Sequence, residues 1–563
     1  VPPRRDRGKS VSDLHSRAKD WLAQDPDPET RQELGDLLAA SDVGDATAIA
    51  ELTDRFRSQL AFGTAGLRGA LAAGPNRMNQ VVVAQTAVGI AEYLLARSNS
   101  RPTVVIGYDG RKNSRIFAEN SAALMSGAGI DAVLLPRLLP TPVLAFAVRH
   151  LGADSGVMVT ASHNPPQDNG YKVYLGGADE GAQIVAPVDS DIAERILAIA
   201  RSRRVPELPR GEYRIASESV VTAYIEATAE LGHQSAPLRI VYTALHGVGA
   251  ETMQRVLAAA GFDEPTVVTE QIDPDPTFPT VAFPNPEEAG ALDLSCATAR
   301  AVGAELIVAN DPDADRFAAA IPDASAAAGF RRLTGNEVGA LLGWRAAERA
   351  RLDRRGGALA CSIVSAPALS AVAAEYGLGF VETLTGFKWI SRVPELLFGY
   401  EEALGYLVNP VTIRDKDGIS AALAFVSLAS ALAHEGRTIA DELEAFAERF
   451  GLFGSEQISL RVSNLSDIER IMLRLRAEPP LSLGGLIIER TEDLRNSDTG
   501  LPPTDALRFR LESARLIARP SGTEPKLKFY LDVWSQDTDA RIRRAEVASR
   551  LAALRRGVQS LLS

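Results

Sequence analysis

Cysteine is nearly missing from this chain: Cys296 and Cys361 are the only two among 563 residues. So small a count excludes a disulfide framework and suits a reducing compartment. Positive charge is also short, and the formal net charge of −12 argues against nucleic acid or an anionic membrane as the main partner. An anionic substrate would need a local basic pocket set against the sign of the whole. Long apolar runs are missing too, none approaching the roughly 20 residues that span a bilayer. The opening Val1-Pro-Pro-Arg-Arg-Asp-Arg is basic but is not followed by the apolar stretch of a secretory signal. The expected compartment is the cytoplasm. No Walker A sequence occurs, so nothing suggests a nucleoside triphosphate site.

What remains is ordinary globular composition, 46% hydrophobic and 23% charged, in a length that suggests about four domains. Residues 1–10 read as a disordered tail and 11–60 as charged helix, with Asp25-Pro-Asp-Pro separating two helices. Asn79 opens an N-capped helix with an apolar face. Short buried strands then alternate with helices, and the pattern restarts near 238 and again near 357, which argues for α/β layers. From about 455 it changes to strict alternation. We therefore expect three similar α/β units with mixed, mostly parallel sheets and a smaller C-terminal α+β domain. The boundaries are 1–48 (tail and helical extension), 49–234, 235–350, 351–454 and 455–563.

The loops between these elements carry the chemistry. Gly156-Val-Met-Val-Thr-Ala-Ser162-His163-Asn164-Pro165 is a strand that breaks into a loop presenting one hydroxyl, stopped by two prolines. It has no G-x-S-x-G elbow, so acyl chemistry has no local support. Asp311-Pro-Asp313-Ala-Asp315-Arg316 places three carboxylates at alternate positions of what reads as an extended loop, an oxygen set that suits Mg²⁺. An EF-hand beginning at Asp311 fails, because Arg316 and Pro322 stand where Gly and Glu are required. The competing reading is a solvated acidic turn. A phosphorylated Ser162 beside three Asp residues would gather about five negative charges, which only a divalent cation could neutralise. Conversely, a cation held there could take a phosphoserine oxygen and stabilise phosphoryl transfer. His163 either bonds the phosphate or caps the loop. Lys172 can act as acid or base if burial depresses its pKa; otherwise it is a solvated strand residue.

Arg519-Pro-Ser521-Gly522-Thr523-Glu-Pro-Lys offers a guanidinium, two hydroxyls and a glycine turn, a phosphate cradle if it is not simply a surface turn. Glu401, Glu402 and the Gly405 turn either bind vicinal sugar hydroxyls or form a solvated charged turn. Arg68, Lys388 and Lys416 sit in or beside glycine-containing loops, as does Thr385-Gly386. His246-Gly-Val-Gly has two of the three dinucleotide glycines and reads as structural.

Thr160-Ala-Ser-His-Asn-Pro165, Asp311 to Arg316, Gly399-Tyr-Glu-Glu-Ala-Leu-Gly405 and Arg519 to Pro525 occur in that order. The chain from about 50 onward thereby resembles the α-D-phosphohexomutase family of phosphoglucomutases and phosphomannomutases. The resemblance implies four domains around a central cleft, one motif from each. It implies that Ser162 is the phosphorylated serine and that Ser162, Asp311, Asp313 and Asp315 bind Mg²⁺, with Arg316 beside them. Arg68, Lys172 and His163 would be catalytic. Thr385, Gly386, Lys388, Glu401, Ala403 and Lys416 would meet the sugar phosphate, and Arg519, Ser521, Gly522 and Thr523 would hold the phosphate that is not transferred. Ala403 stands where hexomutases commonly carry Ser, and Glu-Glu-Ala-Leu-Gly-Tyr is closer to the phosphopentomutase-like branch.

Two anion sites argue for a mutase. A bisphosphorylated intermediate would occupy both, turn over and return its other phosphate to Ser162, with glucose 1,6-bisphosphate as activator and closure excluding water. The expected partners are small sugar phosphates: glucose or mannose phosphates first, ribose 1-/5-phosphate as the alternative. A sugar phosphatase needs only one anion site, and a silent sugar-phosphate-binding protein needs no phosphorylatable serine.

Overall fold

A computed structural model describes residues 7–63, 66–462, 465–496, 500–520 and 526–562. The chain divides into two compact units: Val1–Gln234, Leu238–Arg331 and Val411–Leu423 form one, and Ser235–Pro237, Arg332–Pro410 and Ala424–Ser563 the other.

The first unit begins with three helices, Arg7–Leu22, Pro28–Asp42 and Ala46–Arg55. Helix therefore starts at Arg7, inside the segment expected as a tail. The reason is an apolar stripe: Leu14, Ala18 and Trp21, spaced by four and three, are buried in the core of the first sheet together with Leu34 and Leu52. Each such large side chain contributes about 1.5–3 kcal/mol. Asn79 caps the helix Gln80–Leu95 by accepting from the Val82 N–H at 3.0 Å.

In the first sheet Thr103–Tyr108 runs parallel to both Asp131–Leu134 and Ser155–Val159. The longer Asp168–Leu175 lies antiparallel to Ser155–Val159, and Gly66–Ala70 is antiparallel to Asp168–Leu175 in turn. These pairings decide where the loops fall. The ends of Thr103–Tyr108 and Ser155–Val159 emerge side by side, Tyr108 opposite Val159, while Lys172 pairs with Met158 next door. Open α/β sheets build their sites at such carboxyl ends.

The second sheet of this unit has Ile240–Thr243 parallel to Thr266–Val267 and to Leu306–Asn310. Leu306–Asn310 then returns antiparallel as Phe317–Pro322, with Asn310 opposite Phe317. The six residues Asp311 to Arg316 are thus a hairpin loop.

The second unit holds a four-stranded sheet in which Ala358–Ser362 is parallel to Gly379–Thr383 and Leu396–Glu401. Gly405–Leu407 closes it antiparallel, with Glu401 opposite Gly405. Its last sheet has six strands in the order Leu452–Arg461, Lys526–Ser535, Ala514–Pro520, Leu507–Leu511, Leu486–Asp493 and Ser482–Leu483, all antiparallel. The molecule is α/β with mixed sheets and a smaller C-terminal domain, as expected. Within this unit, Arg515 pairs with Glu382 (2.9 Å) and Asp532 (2.6 Å), and Arg508 with Glu382 (3.0 Å), tying the last sheet to the strand Gly379–Thr383. Among the described residues no single helix is long and apolar enough to cross a membrane.

Candidate active site

The loop after Ser155–Val159 carries Ser162 in the left-handed region, at φ 50°. That conformation costs a non-glycine residue about 1–2 kcal/mol, so surrounding contacts must hold it. The Ser162 N–H donates to Thr160 Oγ1 at 2.8 Å. The buried Ser162 Oγ lies 3.0 Å from Asp311 Oδ2 and 3.0 Å from His163 Nδ1. Burial, reinforced by Arg316 and Arg68, pushes the His163 imidazole well below its ordinary pKa and leaves it neutral. A neutral ring at this distance can exchange a proton with the hydroxyl. Arg68 donates to Asn164 Oδ1 of the same loop at 3.1 Å. Its strand can lie close because Gly66, at φ 79°, has no Cβ; one there would fall 1.9 Å from the Tyr171 carbonyl oxygen. Thr64 and Ala65, just ahead of this strand, lie outside the described residues.

Asp311, Asp313 and Asp315 are fully buried, and one carboxylate oxygen from each lies within 4.8 Å of the others. The loop is a turn and not the extended segment expected. The Ala314 N–H donates to the Asp311 carbonyl at 2.8 Å, and Ala314 adopts φ 54°. Thr141 Oγ donates to Asp313 Oδ2 at 2.6 Å, and the Thr141 N–H donates to the Asp313 carbonyl at 2.9 Å. Oδ1 of Asp313 and Oδ1 of Asp315 are buried with no hydrogen-bond partner among the described residues. Buried acceptors are seldom left so. Three converging hard oxygen donors, two of them unmet, fit a small divalent cation.

The balancing positive charge is local. Lys172 Nζ lies 2.6 Å from Asp313 Oδ2 and also pairs with Asp315, while Lys416 Nζ lies 2.7 Å from Asp315 Oδ2. Arg316 reaches Asp311 at 3.9 Å. Burial drives the Asp311 carboxyl well above the usual range, and Asp313 and Asp315 push it further. Burial acts on Asp313 in the same way, but Lys172, the Thr141 hydroxyl and Lys416 together outweigh it and hold that group low. The condition set for Lys172 as acid or base is not met: burial alone lowers it, yet Asp313, Asp315 and Asp415 carry it above an ordinary lysine, and the buried side chain is not a solvated strand residue either. Lys172 is a fixed cation among carboxylates.

Lys416 is brought here by a segment with its own anchors. Asp415 accepts from the Tyr174 hydroxyl (2.9 Å) and Gln183 (2.7 Å), and Asp417 from the Tyr224 hydroxyl (3.1 Å). At Gly418 a Cβ would meet the Arg316 carbonyl oxygen at 2.2 Å, so this turn requires glycine.

The first unit therefore brings together Ser162, His163, Arg68, Lys172, Asp311, Asp313, Asp315, Arg316 and Lys416. The remaining candidates belong to the second unit. Glu401 Oε1 accepts from the Gly386 N–H at 2.6 Å, joining the two expected sugar loops. Thr385 Oγ1 is buried without a hydrogen-bond partner among the described residues. Glu402 is held from beneath by the Ser362 and Ser365 hydroxyls, each at 3.1 Å. Ala403 lies between Glu402 and the left-handed Leu404, and Lys388 is in the short helix Phe387–Ile390. Arg519 is opposite Lys528 in the hairpin of the last sheet. Ser521, Gly522 and Thr523 lie outside the described residues. Sequence reasoning had assigned no role to Thr141, Asp415, Tyr174 or Arg111, all of which contact these loops.

Residues 59–203, 222–324 and 334–450 match the three alpha/beta/alpha domains described as Phosphoglucomutase/phosphomannomutase domains I, II and III, and residues 458–549 match the C-terminal domain. Over 463 residues the chain is 52% identical to a probable phosphomannomutase of Haemophilus influenzae, covering 82% of this chain and 94% of that one. It is 34% identical over 574 residues to the phosphopentomutase of Mus musculus, covering 92% and 90% respectively. A phosphoglucomutase of Staphylococcus epidermidis is 34% identical over 513 residues, covering 86% and 92%. Among solved structures, a putative phosphomannomutase from Thermus thermophilus matches at a TM-score of 0.67 and 25% identity, covering 89% of this chain and 99% of that one.

Proposed function

The chain belongs to the phosphoglucomutase/phosphomannomutase family, the α-D-phosphohexomutases, and we propose that this mutase interconverts the 1-phosphate and 6-phosphate of glucose or mannose through a phosphoserine at Ser162. The observation that carries this reading is the Ser162 hydroxyl, 3.0 Å from Asp311 in a triad with unmet carboxylate oxygens.

In the proposed cycle the bond between phosphorus and Ser162 Oγ breaks as one forms to the free hydroxyl of a sugar monophosphate. The proton of that hydroxyl is taken up within the site, and Ser162 Oγ regains one. His163, neutral and 3.0 Å from Ser162 Oγ, is placed to relay a proton. Lys172 and Lys416, fixed by Asp313 and Asp315, offset charge on the moving phosphoryl group without having to reorganise. Asp311, Asp313, Asp315 and a Ser162 oxygen would hold Mg²⁺, which supplies charge neutralisation at the phosphoryl oxygens. Glu401, with Thr385, Gly386, Lys388 and Ala403, would receive the sugar. Arg519, Ser521, Gly522 and Thr523 would hold the other phosphate. Glucose 1,6-bisphosphate would load Ser162 and start the cycle.

A second reading, interconversion of ribose 1- and 5-phosphates, is favoured by Ala403 in the sugar loop and by the phosphopentomutase relative. A panel of glucose, mannose, glucosamine and ribose 1-phosphates with Mg²⁺ and catalytic glucose 1,6-bisphosphate separates the two. Fastest isomerisation of glucose or mannose 1-phosphate supports the first reading, fastest turnover of ribose 1-phosphate the second. Release of inorganic phosphate without isomerised product would contradict both.

A further inference from the structure

The turn Asp109-Gly110-Arg111 follows the strand Thr103–Tyr108, the parallel neighbour of the strand that leads into the Ser162 loop. Register places Arg111 under that loop. Its Nη2 donates to the carbonyls of Ser162 (2.5 Å) and Asn164 (2.6 Å), and Nη1 to those of Pro165 (2.8 Å) and Asp168 (3.2 Å). One guanidinium thus gathers four carbonyls from a seven-residue stretch. The side chain is 1% exposed, with Asp109 at 3.7 Å from Nε and the Phe278 ring centroid 4.9 Å from Cζ. Asp109 is itself held by the Ser114 hydroxyl (2.6 Å) and the Arg111 N–H (3.1 Å).

The loop needs such a donor. Pro165 and Pro166 have no N–H, and among the described residues the loop's own backbone bonds are short turns, Asn164 N–H to Ala161 and Asp168 N–H to Pro165. A planar fork with five donors and no acceptor can serve several carbonyls at once; an ammonium offers three donors from a single atom. The peptide unit is planar and trans, so fixing the Ser162 carbonyl on the guanidinium turns the His163 N–H the opposite way. Ser162 itself sits at φ 50° with its Oγ 3.0 Å from Asp311 Oδ2, and holding its carbonyl fixes ψ at the residue that carries this hydroxyl.

We propose that Arg111 is the positioning residue of the phosphoserine loop: it fixes the backbone that aims Ser162 Oγ at Asp311, and acts on phosphoryl transfer only through that loop. This rests on Ser162 being the phosphoryl carrier.

The test uses the full chain as wild type, R111K and R111M, each purified as its folded peak by gel filtration. Phosphate uptake on Ser162 from glucose 1,6-bisphosphate with Mg²⁺ is followed by intact mass in quenched samples, and glucose 6-phosphate binding by calorimetry. In R111M, transfer should slow about a hundredfold, and in R111K about tenfold, as expected for a reacting atom displaced by about 1 Å. Sugar-phosphate binding should change by less than the transfer rate in both. Transfer at the wild-type rate, or binding lost in step with transfer, overturns the proposal. If R111M does not fold, the same split in R111K decides. Wild type that takes up no phosphate on Ser162 overturns the carrier reading and the proposal with it, whereas a normal wild type beside unaffected variants overturns the Arg111 role alone.

Discussion

The Ser162 hydroxyl donates to Asp311 Oδ2 across 3.0 Å, although 149 positions separate the two residues. Phosphorylation would replace this donor by a group of charge about −1.5 to −2, set against the carboxylates of Asp311, Asp313 and Asp315. Removing divalent cation should therefore destabilise the phosphorylated protein more than the unphosphorylated one. Thermal unfolding of both forms, with Mg²⁺ and with a chelator, should give the larger Mg²⁺-dependent gain to the phosphorylated form. Equal gains would contradict a shared site.

Lys172 supplies the ammonium between Asp313 and Asp315. Lys172→Met leaves buried carboxylates without it, and breaking a buried pair costs about 3–5 kcal/mol. Denaturant unfolding should show that loss, and Mg²⁺ should restore part of it by placing a cation among the same oxygens. A variant as stable as wild type, or one that Mg²⁺ does not help, would count against the arrangement.

Asp417 gives a pH dependence of defined sign. Burial pushes its carboxyl from 3.8 up to about 6, against the bonds from Ser420, Tyr224 and Ile419. Between these values the folded chain keeps a proton that the unfolded chain has released. The resulting stability is fully present below the unfolded pKa and is lost as pH rises through about 6, a change on the order of 3 kcal/mol. Asp417→Asn keeps a side-chain acceptor for the Ile419 and Ser420 N–H groups but cannot ionise. The stability of this variant relative to wild type should therefore rise by that order between about pH 4 and about pH 7. Parallel pH curves would contradict it.

Adjacent glutamates should behave differently. Glu402 accepts from the buried Ser362 and Ser365 hydroxyls, so Glu402→Ala should cost about 1–3 kcal/mol of stability with little change in KM. Glu401→Ala should instead raise KM about tenfold or more, the loss of a charge-assisted hydrogen bond to a sugar hydroxyl. Calorimetric unfolding and steady-state kinetics on both variants check the division.

The features most legible in the sequence were those written in contiguous residues. The strand leading into the Ser162 loop, the Asn79 cap, the proline break near 25 and the three alternate Asp residues are local patterns, and each marks its element. Legibility fell where the partner is distant or is backbone. Arg111 sits in a visible strand-end turn, but its partners are four carbonyls, which leave no side-chain signature. Tyr174 and Asp415 lie 241 positions apart, and only the fold joins them. Lys172 was left between a solvated strand residue and a depressed acid or base, because neither its burial nor the two facing carboxylates from another hairpin can be read from its own strand. The Asp311 loop was expected to be extended because Ala314 carries no sign of a left-handed turn.

The most direct measurement of the central claim starts with protein carrying radiolabelled phosphate on Ser162 and adds unlabelled glucose 1-phosphate with Mg²⁺ in a single turnover. The account predicts label in glucose 1,6-bisphosphate and glucose 6-phosphate, with almost none released, and no labelling of Ser162→Ala at the outset. Label released as inorganic phosphate, or isomerisation by Ser162→Ala, would contradict it.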